Sequence, residues 1–274
     1  FSRRFGARTR LAERAFIRKQ DIIKDREMKK WVLGNWKMNG STALLSRYKA
    51  LFAEAREVTA TPVGLALPYP YLGLAKIALA PYGVLLGAQD VSAFKKEGAY
   101  TGEVSASILK DLSLDFALIG HSERRHYFKE NNKLLKNKVQ ALATCNLRPV
   151  LCIGESMEER KQGTTKKKLQ DQLSFLSELA PEETDKLILA YEPIWAIGTG
   201  VQAKNQEIEE VIHFIKEAAL PKEGVNAKIP ILYGGSVNAK NAAMLAEIPS
   251  LGGFLVGGAS LEPETLKKII NAAN

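Results

Sequence analysis

From Met28 onward the chain alternates between short, unbroken apolar runs and longer stretches with polar and apolar residues on opposite faces. Eight runs read as strands: Trp31–Trp36, Val63–Leu67, Val84–Gln89, Asp115–Gly120, Arg148–Ile153, Leu187–Glu192, Ile229–Tyr233 and Gly253–Val256. They are continuously apolar rather than alternating, the pattern of parallel strands buried on both faces. The intervening pattern predicts helices over 42–57, 70–79, 104–111, 122–144, 157–179, 204–219, 238–246 and 262–272. In 204–219, for example, Ile208, Val211, Ile212 and Ile215 recur at three- and four-residue spacing. Pro62, Pro81, Pro149, Pro181, Pro230 and Pro249 fall at or near the boundaries. Parallel strands need helical crossovers, and eight such units close into a single α/β domain, a (β/α)8 barrel over residues 28–274. An open doubly wound sheet would carry a GxGxxG after its first strand, and none is present.

A barrel places its chemistry at the C-terminal ends of its strands, and the polar residues of interest sit there. Asn35 and Lys37 end the first strand, His121 follows the fourth and Glu192 closes the sixth. A lone carboxylate at an apolar barrel mouth is partly desolvated, which raises its pKa and suits it to act as a base. The plain alternative, a surface glutamate capping a strand, is weakened by Pro193, which restricts Glu192 to extended geometry. His121 precedes a helix beginning near Ser122, and a helix N-terminus disfavours added positive charge, so a neutral imidazole is expected at pH 7. A packed helix-start histidine fits that spacing equally well. His126 and His213 lie within helical patterns and read as structural or exposed.

Lys37 can face a phosphate or developing negative charge, or send its head to water. Asn35 lies two residues away and faces the same side. Gly234-Gly235-Ser236 after the seventh strand and Gly257-Gly258 after the eighth leave backbone N–H groups unobstructed. Barrels often bind phosphate at that place. Either cluster alone reads as a turn; two on successive strand ends point to phosphate. The segment from Pro193 to Gly200 is too apolar for an ordinary solvent loop, and it reads either as a lid or as a loop packed on the rim.

Composition changes little in this picture. The 274 residues are 46% hydrophobic and 25% charged, as in soluble globular proteins. The net charge of +9 is uneven. Residues 1–27 hold nine basic and four acidic groups, and the rest is mildly basic at +4. A nucleic-acid or membrane partner is therefore not expected, and no apolar run approaches the ~20 residues that span a bilayer. The arginine-rich leader begins without methionine and reads as a disordered extension or upstream-translation artefact, with a transit remnant as the alternative. Cys145 and Cys152 form no CxxC pair and fit buried thiols in a reducing, cytoplasmic setting. Three histidines without HxxxH spacing argue against a histidine-rich metal site.

Taken together, these segments resemble triosephosphate isomerase across residues 30–273. The likeness rests on Trp31 through Gly40, Thr101-Gly102-Glu103, Gly120 through Arg125, Cys152 through Glu155, Ala190 through Gly200 and Leu255 through Leu261. The resemblance implies a TIM barrel that interconverts dihydroxyacetone phosphate and D-glyceraldehyde 3-phosphate, without cofactor or metal. It implies Glu192 as base, His121 as electrophile, and Lys37 and Asn35 stabilising negative charge. Backbone groups at Gly198, Ser236, Gly257 and Gly258 would hold the phosphate, and Glu123 and Cys152 would support the site. It further implies a homodimer in which the loop Asp90–Thr101 enters the neighbouring subunit. Other phosphate-binding barrels fit less well. A Schiff-base aldolase needs a strand-end lysine where Glu192 stands, and a metal-dependent epimerase needs clustered ligands. A noncatalytic relative should lack the base.

Overall fold

The computed structural model describes residues 29–54, 61–197, 203–220 and 229–274. The leader, read from sequence as an extension, and Gly198, expected to hold phosphate, lie outside these described residues.

Eight parallel strands close on themselves in sequence order: β1 (Trp31–Asn35), β2 (Val63–Leu67), β3 (Leu85–Ala88), β4 (Phe116–Ile119), β5 (Arg148–Ile153), β6 (Ile188–Tyr191), β7 (Ile231–Tyr233) and β8 (Gly253–Val256). Closure is made by β1 on β8, with Trp31 opposite Gly253 and Gly34 opposite Val256. Two apolar layers explain the unbroken strand runs. Trp31, Leu33, Leu85, Phe116, Leu118 and Val150 belong to the cluster that fills the barrel. Their neighbours Val32, Leu86, Ala117 and Leu151 pack outward beneath the helices. Both faces of each strand are thus buried, and each large side chain so removed from water contributes on the order of 1.5–3 kcal/mol. Inside, the Phe116 ring occupies the space a side chain at Gly87 would need.

The helices depart from expectation in detail. The stretch 122–144 is two helices, Ser122–Tyr127 and Asn132–Thr144. The chain turns at Lys129, whose φ is 57°, and Asn131 restarts the helix by accepting the Leu134 N–H at 3.0 Å. The stretch 157–179 divides similarly at Gly163, φ 68°, into Met157–Lys161, Thr165–Leu173 and a 3-10 turn over Ser174–Glu178. The loop after β3 projects: residues 94–103 are all exposed, and Phe94 stacks on Tyr100 at 3.7 Å. Among the described residues no helix is long and apolar enough to cross a membrane.

Candidate active site

The C-terminal ends of β1, β4 and β6 bring four of the expected residues into one contact network. Glu192 directly follows β6, and its N–H donates to Ile153 O at 2.7 Å, which holds it against the end of β5. Its side chain is buried, and two glycines make room for the residue, Gly234 for its side chain and Gly154 for its backbone. A Cβ at Gly234 would lie 2.7 Å from Glu192 Cγ, and one at Gly154 would collide with the Glu192 carbonyl oxygen. Glu192 Oε1 lies 3.2 Å from His121 Nε2, and Oε2 accepts the Ser122 N–H at 3.3 Å.

His121 caps the helix Ser122–Tyr127 and is itself buried. Its Nδ1 accepts the Glu123 N–H at 3.3 Å, so a neutral ring carries its proton on Nε2, facing Glu192. Glu123 also binds Lys37, Oε1 to Nζ at 2.6 Å. Lys37 holds a left-handed backbone, φ 53°, uncommon for a lysine, and its N–H donates to Asn35 Oδ1 at 3.0 Å. Gln89 donates to the same oxygen at 3.3 Å, which leaves the Asn35 NH2 as the end free to turn elsewhere.

Two electrostatic expectations reverse. Burial pushes the Glu192 carboxyl up, as the sequence suggests, but the facing His121, its hydrogen bond, the Ser122 N–H and Lys37 outweigh burial and hold it below the ordinary value. Burial likewise pulls the His121 imidazole down, and Glu192 with Glu123 draws it up past its ordinary value. The helix N-terminus does not decide the matter, because a carboxylate sits closer. Glu192 is thus an ionised carboxylate at neutral pH, with the imidazole as its nearest partner.

The remaining expected residues that are described, Ser236, Gly257 and Gly258, lie on the adjoining rim. A Cβ at Gly257 would meet only Lys37 Cε, at 3.6 Å, and one at Gly258 would meet nothing within 4 Å. Their backbone is therefore open to approach. Ser236, half-buried, follows Gly234 by two residues, and its carbonyl accepts from Asn241 Nδ2 at 2.9 Å. His126 and His213 are exposed and away from these contacts. Cys152 is buried, whereas Cys145 is only partly so, contrary to the expectation of two buried thiols.

The described half of the apolar segment is anchored rather than free. Trp195 and Ala196 are buried in a 3-10 turn, Ile194–Ala196, and Trp195 Nε1 donates to Glu155 Oε1 at 2.9 Å. The Arg160 guanidinium lies 4.3 Å from the Trp195 ring. Only Ile194 and Ile197 present surface. Sequence reasoning did not single out Gln89, Arg125, Glu130 or Gln172, all of which hold the backbone or amides around the site. Their partners lie on other elements, and no local pattern marks such pairings.

Comparison with known proteins agrees with this geometry. The triosephosphate isomerase family model matches residues 30–273. The chain is similar to proteins named triosephosphate isomerase: it is 44% identical to that of Neisseria meningitidis over 252 residues, covering 89% of this chain and 97% of the relative. It is 41% identical to that of Alkalilimnicola ehrlichii over 248 residues, covering 89% and 98%. With that of Carboxydothermus hydrogenoformans the identity is 39% over 249 residues, covering 89% and 99%. Matches of this identity run through the barrel from end to end, and the chain belongs to the triosephosphate isomerase family of enzymes.

Proposed function

We propose that the protein interconverts dihydroxyacetone phosphate and D-glyceraldehyde 3-phosphate as a cytoplasmic homodimer. The observation that carries this reading is the buried Glu192–His121 contact of 3.2 Å at a barrel mouth shared with Lys37 and Asn35. The Glu192 carboxylate removes the proton on the carbon next to the carbonyl, and the electron pair of that C–H bond moves to form the enediolate. His121 Nε2–H donates to the carbonyl oxygen. Once a substrate oxygen takes that donor, Glu192 loses its strongest partner in a buried setting, which makes it a stronger base at the moment of proton transfer. His121 then moves a proton between the two oxygens, and Glu192 returns its own to the neighbouring carbon. The Lys37 ammonium and the Asn35 amide stabilise the oxygen charge in between.

The phosphate is held by backbone groups at Ser236, Gly257 and Gly258, with Gly198 joining them. The openness of Gly257 and Gly258 and the nearness of Lys37 to Gly257 support this. The exposed loop 94–103 supports insertion into a second subunit. The test is direct turnover: purified protein given D-glyceraldehyde 3-phosphate in heavy water, followed by a coupled assay for dihydroxyacetone phosphate and by deuterium at carbon. Rapid conversion with exchange at carbon is expected. Absence of turnover refutes the reading.

A further inference from the structure

The residue that presents His121 is Gly120, and both of its polar backbone groups are taken by charged side chains, the buried Glu130 and the half-buried Arg125. The Gly120 N–H donates to Glu130 Oε2 at 3.3 Å. Its carbonyl accepts from Arg125 Nε at 2.8 Å, and Arg125 Nη2 also reaches Cys152 O at 3.1 Å, across on β5. Gly120 is in the left-handed region, φ 63°, where a Cβ would crowd Leu135 Cδ1 at 2.9 Å and Arg125 Nη2 at 3.1 Å. Glu130 is fixed in turn. Its Oε1 takes Lys138 Nζ at 2.6 Å and Arg124 Nε at 2.7 Å, which leaves Oε2 for Gly120. Both cations also bind Asp90, at the root of the projecting loop.

A neutral device would satisfy the same peptide groups. At Gly154, the corresponding end of β5, the single amide of Gln172 accepts the N–H at 2.8 Å and donates to the carbonyl at 3.0 Å. Burying Glu130 and Lys138, with Arg124 and Arg125 half-buried beside them, is a costlier arrangement than one amide. What it adds is stiffness: the grip on Gly120 is tied to β5, to the helix Asn132–Thr144 and to the loop root together. Strand β4 needs no such support for its own pairing, but the imidazole that follows does, because a misplacement of about 1 Å costs up to roughly 100-fold in rate.

We propose that Arg125 and Glu130 are positioning residues for His121, gripping the carbonyl and N–H of Gly120 so that Nε2 points at Glu192 and at the substrate oxygen. The inference rests on the proposed isomerisation, and its test reads His121 directly as well as through turnover. Arg125→Met and Glu130→Met would each be made alone and combined with His121→Gln. The chain has only three histidines, so 15N-labelled histidine gives three resolvable imidazole signal sets. The expected result is a kcat lower by roughly tenfold with KM little changed. The His121 signals should shift while those of His213, on the helix Asn205–Phe214, stay, and the kcat loss should vanish in the His121→Gln background.

Losses of equal size with and without His121 overturn the proposal, as does a shift of His213 along with His121, which is general loosening. Unchanged kcat with an unmoved His121 signal overturns it too. Removing Glu130 leaves Lys138 and Arg124 with one acid between them; should that variant not fold, Arg125→Met carries the test, because Arg125 has no carboxylate partner among the described ion pairs. If the unaltered protein shows no turnover, the isomerase reading falls, and the imidazole signals still decide whether the grip exists.

Discussion

Glu192 and His121 show how contact overrides environment. Each is buried, and burial by itself raises a carboxyl and lowers an imidazole; at 3.2 Å each reverses the other's shift. Glu192→Gln keeps the shape of the side chain and removes the base, so kcat should fall by at least about 10²- to 10⁴-fold with the barrel intact. Near-normal turnover by that variant would remove Glu192 from the mechanism. The same substitution predicts a pH signature in stability. A lowered Glu192 pKa contributes stability above the ordinary carboxyl value of 4.5 and loses it as pH falls through the folded value. A raised His121 pKa contributes below the ordinary imidazole value of 6.5 and loses it as pH rises through the folded value. The difference in unfolding free energy between unaltered protein and Glu192→Gln should therefore be most favourable to the former between pH 4.5 and 6.5 and decline on both sides. A difference that is flat with pH would show that the two groups do not share charge. That these residues gather on one face was readable from their places at strand ends; the sign of their shifts was not, because it depends on a distance between groups about 70 positions apart in the chain.

At the scale of elements, strands were legible and helix breaks were not. A strand buried on both faces announces itself as an apolar run, so all eight appear within two residues of their expected ends. The breaks at Lys129 and Gly163 are single left-handed residues inside patterns that remain amphipathic across them. The segment after Glu192 illustrates a further limit, since apolar composition suits both a lid and a packed rim. In its described part, Trp195 is held by Glu155 and Arg160, and Ile194 is 39% exposed. Deleting Ile194–Ile197 would remove the anchor with the cover, so the informative change is Ile194→Ser with Ile197→Ser. An enediolate next to a phosphate-bearing carbon can expel phosphate, and under the proposed isomerisation apolar cover would restrain that loss and strengthen Lys37 and His121 in a drier site. The ratio of inorganic phosphate released to triose isomerised should rise in the double variant. An unchanged ratio alongside slower turnover would assign these side chains to binding alone.

The whole molecule raises the question of what meets the projecting loop. Its root is fixed, with Ser92 N–H on Val104 O at 2.9 Å and Asp90 in the charge network behind His121. Its tip carries two stacked rings, Phe94 and Tyr100, exposed by 45% and 42%. Met38, one residue beyond Lys37, is 97% exposed beside the site. Under the homodimer reading the tip of one subunit covers the rim of the other. Residues 94–100 should then be replaceable by a short glycine linker only at the expense of assembly. Asp90 must stay, because its loss would disturb Lys138 and Arg124 directly and confuse the result. The shortened protein is expected to sediment as a monomer, to keep its helical circular dichroism, and to lose at least about tenfold in kcat as Lys37 and its neighbours lose their cover. Sedimentation and turnover must change together for the reading to hold. A shortened chain that remains dimeric and fully active would show that the loop neither docks nor steadies the site, and a monomer of undiminished kcat would show that it docks without steadying it.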